Sequence, residues 1–506
     1  MKLSAKTLDK IDTKRVIVPS MEIMQLPEKI LQFGTGMLLR GLPDYFIDNA
    51  NRNGIFNGRV VVVKSTSKGD TSSFENQNGL YTLCIRGLEN GNRVEDNMIN
   101  SSISRVLNAS DEWRLILDCA NNPELQIIIS NTTEAGIKLV KDDDIQEQPP
   151  ASFPGKVLSF LYERFKAFGG SNESGLVIIP TELIPNNGDK LKAIVLELAG
   201  SNGLDPLFLE WLNHHNYFCN SLVDRIVTGT PSQQVKSEIE MQLGYEDDLL
   251  TVCEVYKLWA IEGGDHIKKI LSFAGADDGM IIVPDIMLYR ELKLRLLNAT
   301  HIMSCGIAFL AGIELVREGM EDKLMAAYVS NLMREEIGRA IPYEIDAEVI
   351  SDYCDKVLDR FRNPHINHLW KNITLNYSGK IRLRCVPVLN VFYKQYNQVP
   401  ELIALGFAAY IYFMKPVKQV DKSFYGEKDG ELYLIDDEQA GKFHQLWQTL
   451  TVNEIITEVL KDGDLWGQDL TSLPGFRDSV LEKLKSIINN GMRNSLEIFR
   501  KNKMDV

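Results

Sequence analysis

The chain has 506 residues, with 55 Lys and Arg against 69 Asp and Glu, a net charge of −14 and a sequence pI near 5.2. With 44% hydrophobic and 25% charged residues, it has the composition of an ordinary globular protein and not of a disordered one. The length calls for more than one domain. The acidic balance argues against nucleic acid as a partner, because that affinity comes mostly from cations neutralising phosphates.

The opening residues MKLSAKTLDKIDTKR contain no apolar core of a leader sequence. Residues 29–33, 60–63, 126–130 and 176–180 are short apolar or β-branched runs bounded by turns, and each is expected to be a buried strand. Buried strands alternating with helical patterns imply a parallel sheet covered on both faces. From about residue 284 the strand signal fades. Residues 288–316, 323–340 and 480–500 carry apolar side chains at helical spacing. Residues 402–414 form the longest apolar run, too short to cross a bilayer, and read as a buried helix. Residues 425–437, with Asp429-Gly430 at the centre, read as a hairpin. The expected organisation is an α/β, Rossmann-like dinucleotide-binding domain over residues 1–283, followed by a mostly α-helical domain over residues 284–506.

LQFGTGMLLRG places Gly34 and Gly36 directly after the first strand and before a helix expected over residues 37–49. That context suits a dinucleotide, whose pyrophosphate needs a tight glycine turn and the free N–H groups of a helix start. Leu39 stands where a third glycine usually does, and Gly41 follows two residues later. The second strand ends in Lys64-Ser65-Thr66 instead of an acidic residue. Lys64 therefore suits a 2′-phosphate, or lies along the adenosine, and leaves NAD and NADP both open.

YRELKLRLLNATHIM sets Lys293, Asn298 and His301 among leucines and isoleucine. Polar groups in so apolar a stretch are paired or functional. Ketone reduction needs a hydride donor, a proton source and donors to the developing alkoxide; a lysine can supply the proton, and Asn and His can polarise the carbonyl. Asn298 and His301 are three apart and share a helix face. Lys293 and His301 would be roughly 12 Å apart along an ideal helix, so either the substrate lies along the helix or Lys293 precedes its first turn. The bland alternative is a snorkelling lysine, a capping asparagine and a core histidine. The seven cysteines are scattered without CxxC, and His214, His215, His365 and His368 lack ligand spacing, so neither disulfides nor a metal is expected. The cysteine pattern suits a cytoplasmic protein.

Six segments together resemble the mannitol dehydrogenase family of polyol and sugar-acid dehydrogenases: FGTGMLLRG, QNGLYTLCIRG, SNTTEAGI, LVDRIVTGTP, KLRLLNATH and RFRNPHINH. The likeness runs over nearly the whole chain, and Lys-x4-Asn-x2-His is its most specific part. Within the family the chain looks most like the branch that interconverts D-tagaturonate and D-altronate in hexuronate (galacturonate) catabolism, with the fructuronate-reducing branch and other sugar-acid or polyol dehydrogenases as alternatives.

The resemblance implies a metal-free enzyme that uses NAD in preference to NADP. Lys293 would be the acid and base, with Asn298 and His301 on the carbonyl oxygen. Gly34 and Gly36 would face the pyrophosphate, Asn131 and Thr132 the nicotinamide, and Asp224 would line the cleft there, unless it is a structural partner of Arg225. The polyol members' Asp-Asn pair is replaced by the run Glu182 to Gly188, which leaves the second oxyanion donor open. A carboxylate substrate also needs a cation. Arg290 and His365 are expected at the substrate, as is the group Lys380, Arg382 and Arg384, which on a strand would point to one face. Lys64, Arg290, Lys293 and Lys380 are expected to converge locally in an otherwise acidic protein. A non-catalytic dinucleotide sensor is the rival from another class; it would require a broken Lys/Asn/His set, and the set is intact.

Overall fold

The computed structural model describes residues 1–66, 70–132 and 136–503. The chain divides into two compact units, Met1–Gly87 with Arg93–Ile286, and Leu88–Asn92 with Met287–Val506.

The first unit is built on a six-stranded sheet whose strands are all parallel. Across the sheet they run Ile103–Asn108, Arg59–Lys64, Glu28–Phe33, Ile127–Ser130, Val177–Pro180 and Tyr217–Phe218. Numbered along the chain, that is the order 3-2-1-4-5-6 of a doubly wound dinucleotide-binding sheet. All four expected strands are present. Alternate side chains go to opposite faces: Ile30, Val60, Val62 and Ile129 join one apolar cluster with Phe46 and Trp259. Leu31, Val61, Val63 and Ile128 join another with Trp113 and Phe160. Near-continuous apolar strands are what a sheet covered on both faces requires.

The single helix expected over residues 37–49 is instead two, Met37–Gly41 and Pro43–Arg52. Leu42 between them has φ −131° and ψ −74°, because the Pro43 ring disfavours α-helical backbone in the residue before it. Two smaller sheets, which the strand reading did not anticipate, complete the unit. One orders Val227–Gly229, Thr251–Glu254, Tyr81–Glu89 and Asn92–Asn100; the other orders Met280–Val283, Leu258–Glu262 and Ser221–Asp224.

The second unit is mostly helical. Its apolar helix Glu401–Phe413 is buried almost throughout, and packs on Thr300–Leu310 and on Phe476–Lys503. The latter helix is interrupted at Gly491, φ +75°. The buried Glu336 carboxylate accepts the Leu402 and Ile403 N–H groups at 2.8 and 2.7 Å, satisfying donors that a helix start leaves open. The hairpin is present as Ser423–Lys428 and Glu431–Ile435, joined by Asp429 and Gly430, both at positive φ. A third strand, Lys418–Val420, pairs with it. The run carrying Lys380, Arg382 and Arg384 is not a strand but the helix Tyr377–Arg384. On a helix Lys380 and Arg384 share a face and Arg382 does not, so the expected one-sided basic row is replaced by a pair. No helix among the described residues is long and apolar enough to cross a membrane. All seven cysteines are free and buried.

Candidate active site

In the first unit, the turn after Glu28–Phe33 lies where the strand order reverses, the place at which open α/β sheets bind ligands. Gly34 has φ +126°, and a Cβ there would meet Leu39 Cδ1 at 2.9 Å and the Asn131 carbonyl oxygen at 3.1 Å. Its N–H donates to Val63 O at 2.9 Å. Only glycine fits that position without strain. Gly36, the N-cap of Met37–Gly41, differs: a Cβ there would find nothing within 4 Å. Gly34 thus makes the turn, and Gly36 leaves its backbone open to an approaching group. The displaced Gly41 has a packing role, since its Cβ would lie 2.6 Å from Val227 Cγ2. An open glycine backbone at the switch point fits a pyrophosphate.

The other first-unit candidates stand at strand ends. Asn131 Nδ2 donates to Thr181 O at 3.1 Å and to Thr181 Oγ1 at 3.0 Å. The Thr132 N–H and hydroxyl both donate to Glu182 Oε1, at 2.7 and 3.0 Å, and Ser130 Oγ donates to Glu182 Oε2 at 3.2 Å. Buried Glu182 therefore fixes the end of the Ile127–Ser130 strand, a role not foreseen for it. Thr133, Glu134 and Ala135 of the SNTTEAGI block lie outside the described residues. Lys64 is buried, and its ammonium donates to the Thr66 carbonyl. Asp224 is buried at the end of Ser221–Asp224. Its neighbour Arg225 bonds the carbonyls of Glu254 at 2.9 Å and Gly41 at 2.7 Å.

Asn187, in the run left open for the second oxyanion donor, is committed to structure. Its Nδ2 reaches the carbonyls of Pro180, Glu182 and Ser221 at 2.9, 3.1 and 3.1 Å. Its Oδ1 accepts the N–H groups of Gly188 and Ser221, both at 2.9 Å.

In the second unit, Lys293, Asn298 and His301 lie on one continuous helical rod, but it is not a uniform α-helix. Met287–Leu292 is α-helical, Lys293–Ala299 is π-helical, and Thr300–Leu310 is α-helical again. The wider π turn bonds residues five apart, which brings Asn298 round toward the face of Lys293. Lys293 therefore does not precede the first turn of the rod, which the α-helical Met287–Leu292 supplies. Lys293 and Asn298 are half-buried. Arg290, on the preceding turn, is half-buried with its Nη1 3.5 Å from Met287 Sδ.

His301 is clamped by rings from elsewhere in the unit. It stacks on Phe361, centroids 4.0 Å apart and planes at 15°, and meets His368 and Trp370 edge-on at 5.2 and 5.9 Å. Its Nε2 is buried without a hydrogen-bond partner among the described residues. Burial, followed by the neighbouring His368, Arg360 and Arg384, pushes its pKa well below the ordinary 6.5, so the ring is neutral at physiological pH. Burial and then Lys380 likewise lower that of His368. His368 is thus the histidine in contact with His301; His365 is half-buried, and its N–H donates to Asn363 Oδ1 at 3.0 Å. Lys380 Nζ donates to Ile373 O at 3.0 Å. Arg382 is exposed and donates to Asp464 O at 2.9 Å, away from this cluster's helix face. Among the described residues no group of three His, Cys, Asp or Glu side chains is arranged to hold a metal ion.

Residues 28–273 match the family model of the mannitol dehydrogenase Rossmann domain, and residues 285–488 that of the mannitol dehydrogenase C-terminal domain. The chain belongs to the mannitol dehydrogenase family. It is an oxidoreductase acting on CH–OH groups. Among its relatives in this family, the altronate oxidoreductase of Bacillus subtilis (strain 168) is 39% identical over 475 residues, 94% of this chain and 95% of the relative. The altronate oxidoreductase of Halalkalibacterium halodurans is 36% identical, covering 93% of each chain. The fold is shared with mannitol 2-dehydrogenase of Pseudomonas fluorescens, solved as a ternary complex with NAD and D-mannitol. That likeness has a TM-score of 0.68 at 23% identity and covers 99% of this chain and 100% of the other. A D-sorbitol dehydrogenase solved in substrate-free form gives a TM-score of 0.76 at 20% identity, covering 98% and 100%.

Proposed function

We propose that this mannitol dehydrogenase family member interconverts D-tagaturonate and D-altronate with NAD(H), with Lys293 as acid and base. The observation that carries the reading is the catalytic set itself: a half-buried lysine and asparagine on a π-helical turn, followed by a neutral histidine whose Nε2 is buried and unpartnered. A sensor of dinucleotides has no use for such a set. The altronate oxidoreductases at 35–39% identity over more than nine-tenths of the chain support the sugar-acid substrate. The NAD-bound mannitol 2-dehydrogenase supports only the fold.

Gly34 and Gly36 would hold the pyrophosphate, with Asn131, Thr132 and Asp224 toward the nicotinamide and Lys64 toward the adenosine end. The bound dihydronicotinamide supplies the hydride. Asn298 Nδ2 and the neutral His301 imidazole donate to the substrate carbonyl oxygen, and strengthen those bonds as charge develops on it. Lys293 gives its Nζ proton to that oxygen in reduction. In oxidation the neutral amine takes the hydroxyl proton back. Because His301 is held neutral, it donates a hydrogen bond without competing as the acid. Arg290, His365 and Lys380 are assigned to the substrate hydroxyl groups.

The test is NADH and NADPH consumption with tagaturonate, fructuronate and fructose side by side. Tagaturonate with NADH is expected to give the highest kcat/KM. A preference for fructuronate would reassign the enzyme to the epimeric keto acid, and a preference for fructose would remove the sugar-acid reading.

A further inference from the structure

Arg384 ends the helix Tyr377–Arg384, and its backbone is tied to the catalytic rod. Buried Arg295 stands within the π-helical turn, between Lys293 and Asn298, and pairs with Glu291 at 2.8 Å. Its Nη1 donates to the carbonyls of Leu383 and Arg384, at 2.9 and 2.8 Å. One guanidinium thus fixes the end of the Tyr377–Arg384 helix against the turn that carries Lys293 and Asn298.

The Arg384 side chain is half-buried and has no hydrogen-bond or carboxylate partner among the described residues. Its surroundings are cationic. Lys380 lies one turn back on the same face, and Arg384 is also within electrostatic reach of His301. Desolvating a guanidinium without a counter-ion is costly, and here burial lowers the Arg384 pKa. Two nearby arginines are engaged, Arg295 by Glu291 and Arg382 by the Asp464 carbonyl. Lys380 also has a fixed acceptor, the Ile373 carbonyl. What Arg384 lacks is an anion, and a planar carboxylate matches its fork with two parallel bonds.

We infer that Arg384 receives the carboxylate of the sugar-acid substrate and is the residue that separates keto acids from neutral ketoses. This rests on the sugar-acid reading above and assigns the cation that the reading requires.

The test compares the wild type with Arg384→Gln and Arg384→Lys, measuring kcat and KM for tagaturonate and for fructose, together with NADH affinity by fluorescence. The expected result is a fall in kcat/KM for tagaturonate in Arg384→Gln at least about 30-fold larger than the fall for fructose, on the order of one lost charge-assisted pair. The loss should lie mainly in KM, NADH affinity should stay within about twofold, and Arg384→Lys should recover part of it. Equal losses on both substrates, or an unchanged KM for tagaturonate, would overturn the inference while leaving the enzyme a tagaturonate reductase. A misfolded Arg384→Gln is recognised by lost NADH binding, and Arg384→Lys then decides alone: a rise in KM confined to tagaturonate supports the assignment, and a wild-type KM overturns it. A wild type inert toward tagaturonate would instead overturn the substrate reading.

Discussion

His301 lies flat on Phe361, ring centroids 4.0 Å apart and planes 15° from parallel. The stack fixes the imidazole plane, and with it the direction of the buried, unpartnered Nε2. In the proposed mechanism this nitrogen donates to the developing oxyanion, and a preorganised donor does so without a reorganisation cost. Phe361→Leu keeps an apolar contact but frees the ring to tilt. It should lower kcat roughly tenfold, since small misplacements of a catalytic group are costly, with NADH affinity unchanged. Steady-state kinetics with an NADH titration checks this.

Gly34 and Gly36 should separate experimentally. Gly34→Ala meets both the positive φ and the contacts with Leu39 and the Asn131 carbonyl, and should destabilise the first unit by roughly 1–3 kcal/mol. Gly36→Ala enters open space. It should leave the Tm unchanged yet weaken NADH binding roughly tenfold, because the new methyl occupies the approach to the backbone. Melting curves and NADH fluorescence on both variants distinguish the two roles.

Asp44 is wholly buried, with Oδ2 3.4 Å from Gln32 Nε2 and Oδ1 without a partner among the described residues. Burial pushes its carboxyl up to about 7. Unfolded, the same group ionises near 3.8, so between those values the folded state binds more protons. Stability is therefore lost as pH rises through this window, by at most about 1.4 kcal/mol per pH unit. Asp44→Asn removes that slope. The Tm of the variant relative to wild type should increase from pH 5.5 to pH 7.5.

For His301 the sign is opposite. Its pKa in the fold is depressed below 6.5, so the unfolded chain takes up the proton first. Stability is complete above about 6.5 and is lost as pH falls below it. The wild-type urea midpoint should drop between pH 6.5 and 5.5 by more than that of His301→Asn.

The parallel sheet was legible because its strands are nearly continuous runs of β-branched and apolar side chains, and Gly34 and Gly36 because a strand precedes them and a helix follows. The Lys293, Asn298 and His301 set stands out only through the resemblance of the KLRLLNATH block to the mannitol dehydrogenase family, because taken alone the same residues read as a snorkelling lysine, a capping asparagine and a core histidine. Its π-helical turn could not be read, because the same residue types serve an α-helix equally well. Phe361, His368 and Trp370 reach His301 from sixty or more residues away, and no local pattern reports that. The Tyr377–Arg384 helix was misread for a specific reason. Lys380, Arg382 and Arg384 alternate with Ile381 and Leu383 like a strand, but buried Tyr377, Ile381 and Cys385 are spaced by four, and that helical signal decides the packing. Pro43 likewise carried a helix break that the continuous reading over residues 37–49 passed over.

The account depends most on Lys293 as the proton donor and acceptor. The decisive measurement is the kcat of Lys293→Ala for tagaturonate reduction, alongside its NADH affinity. A fall of roughly 10²–10⁴-fold in kcat with NADH binding retained is the predicted result; a kcat within a few-fold of wild type would contradict the mechanism.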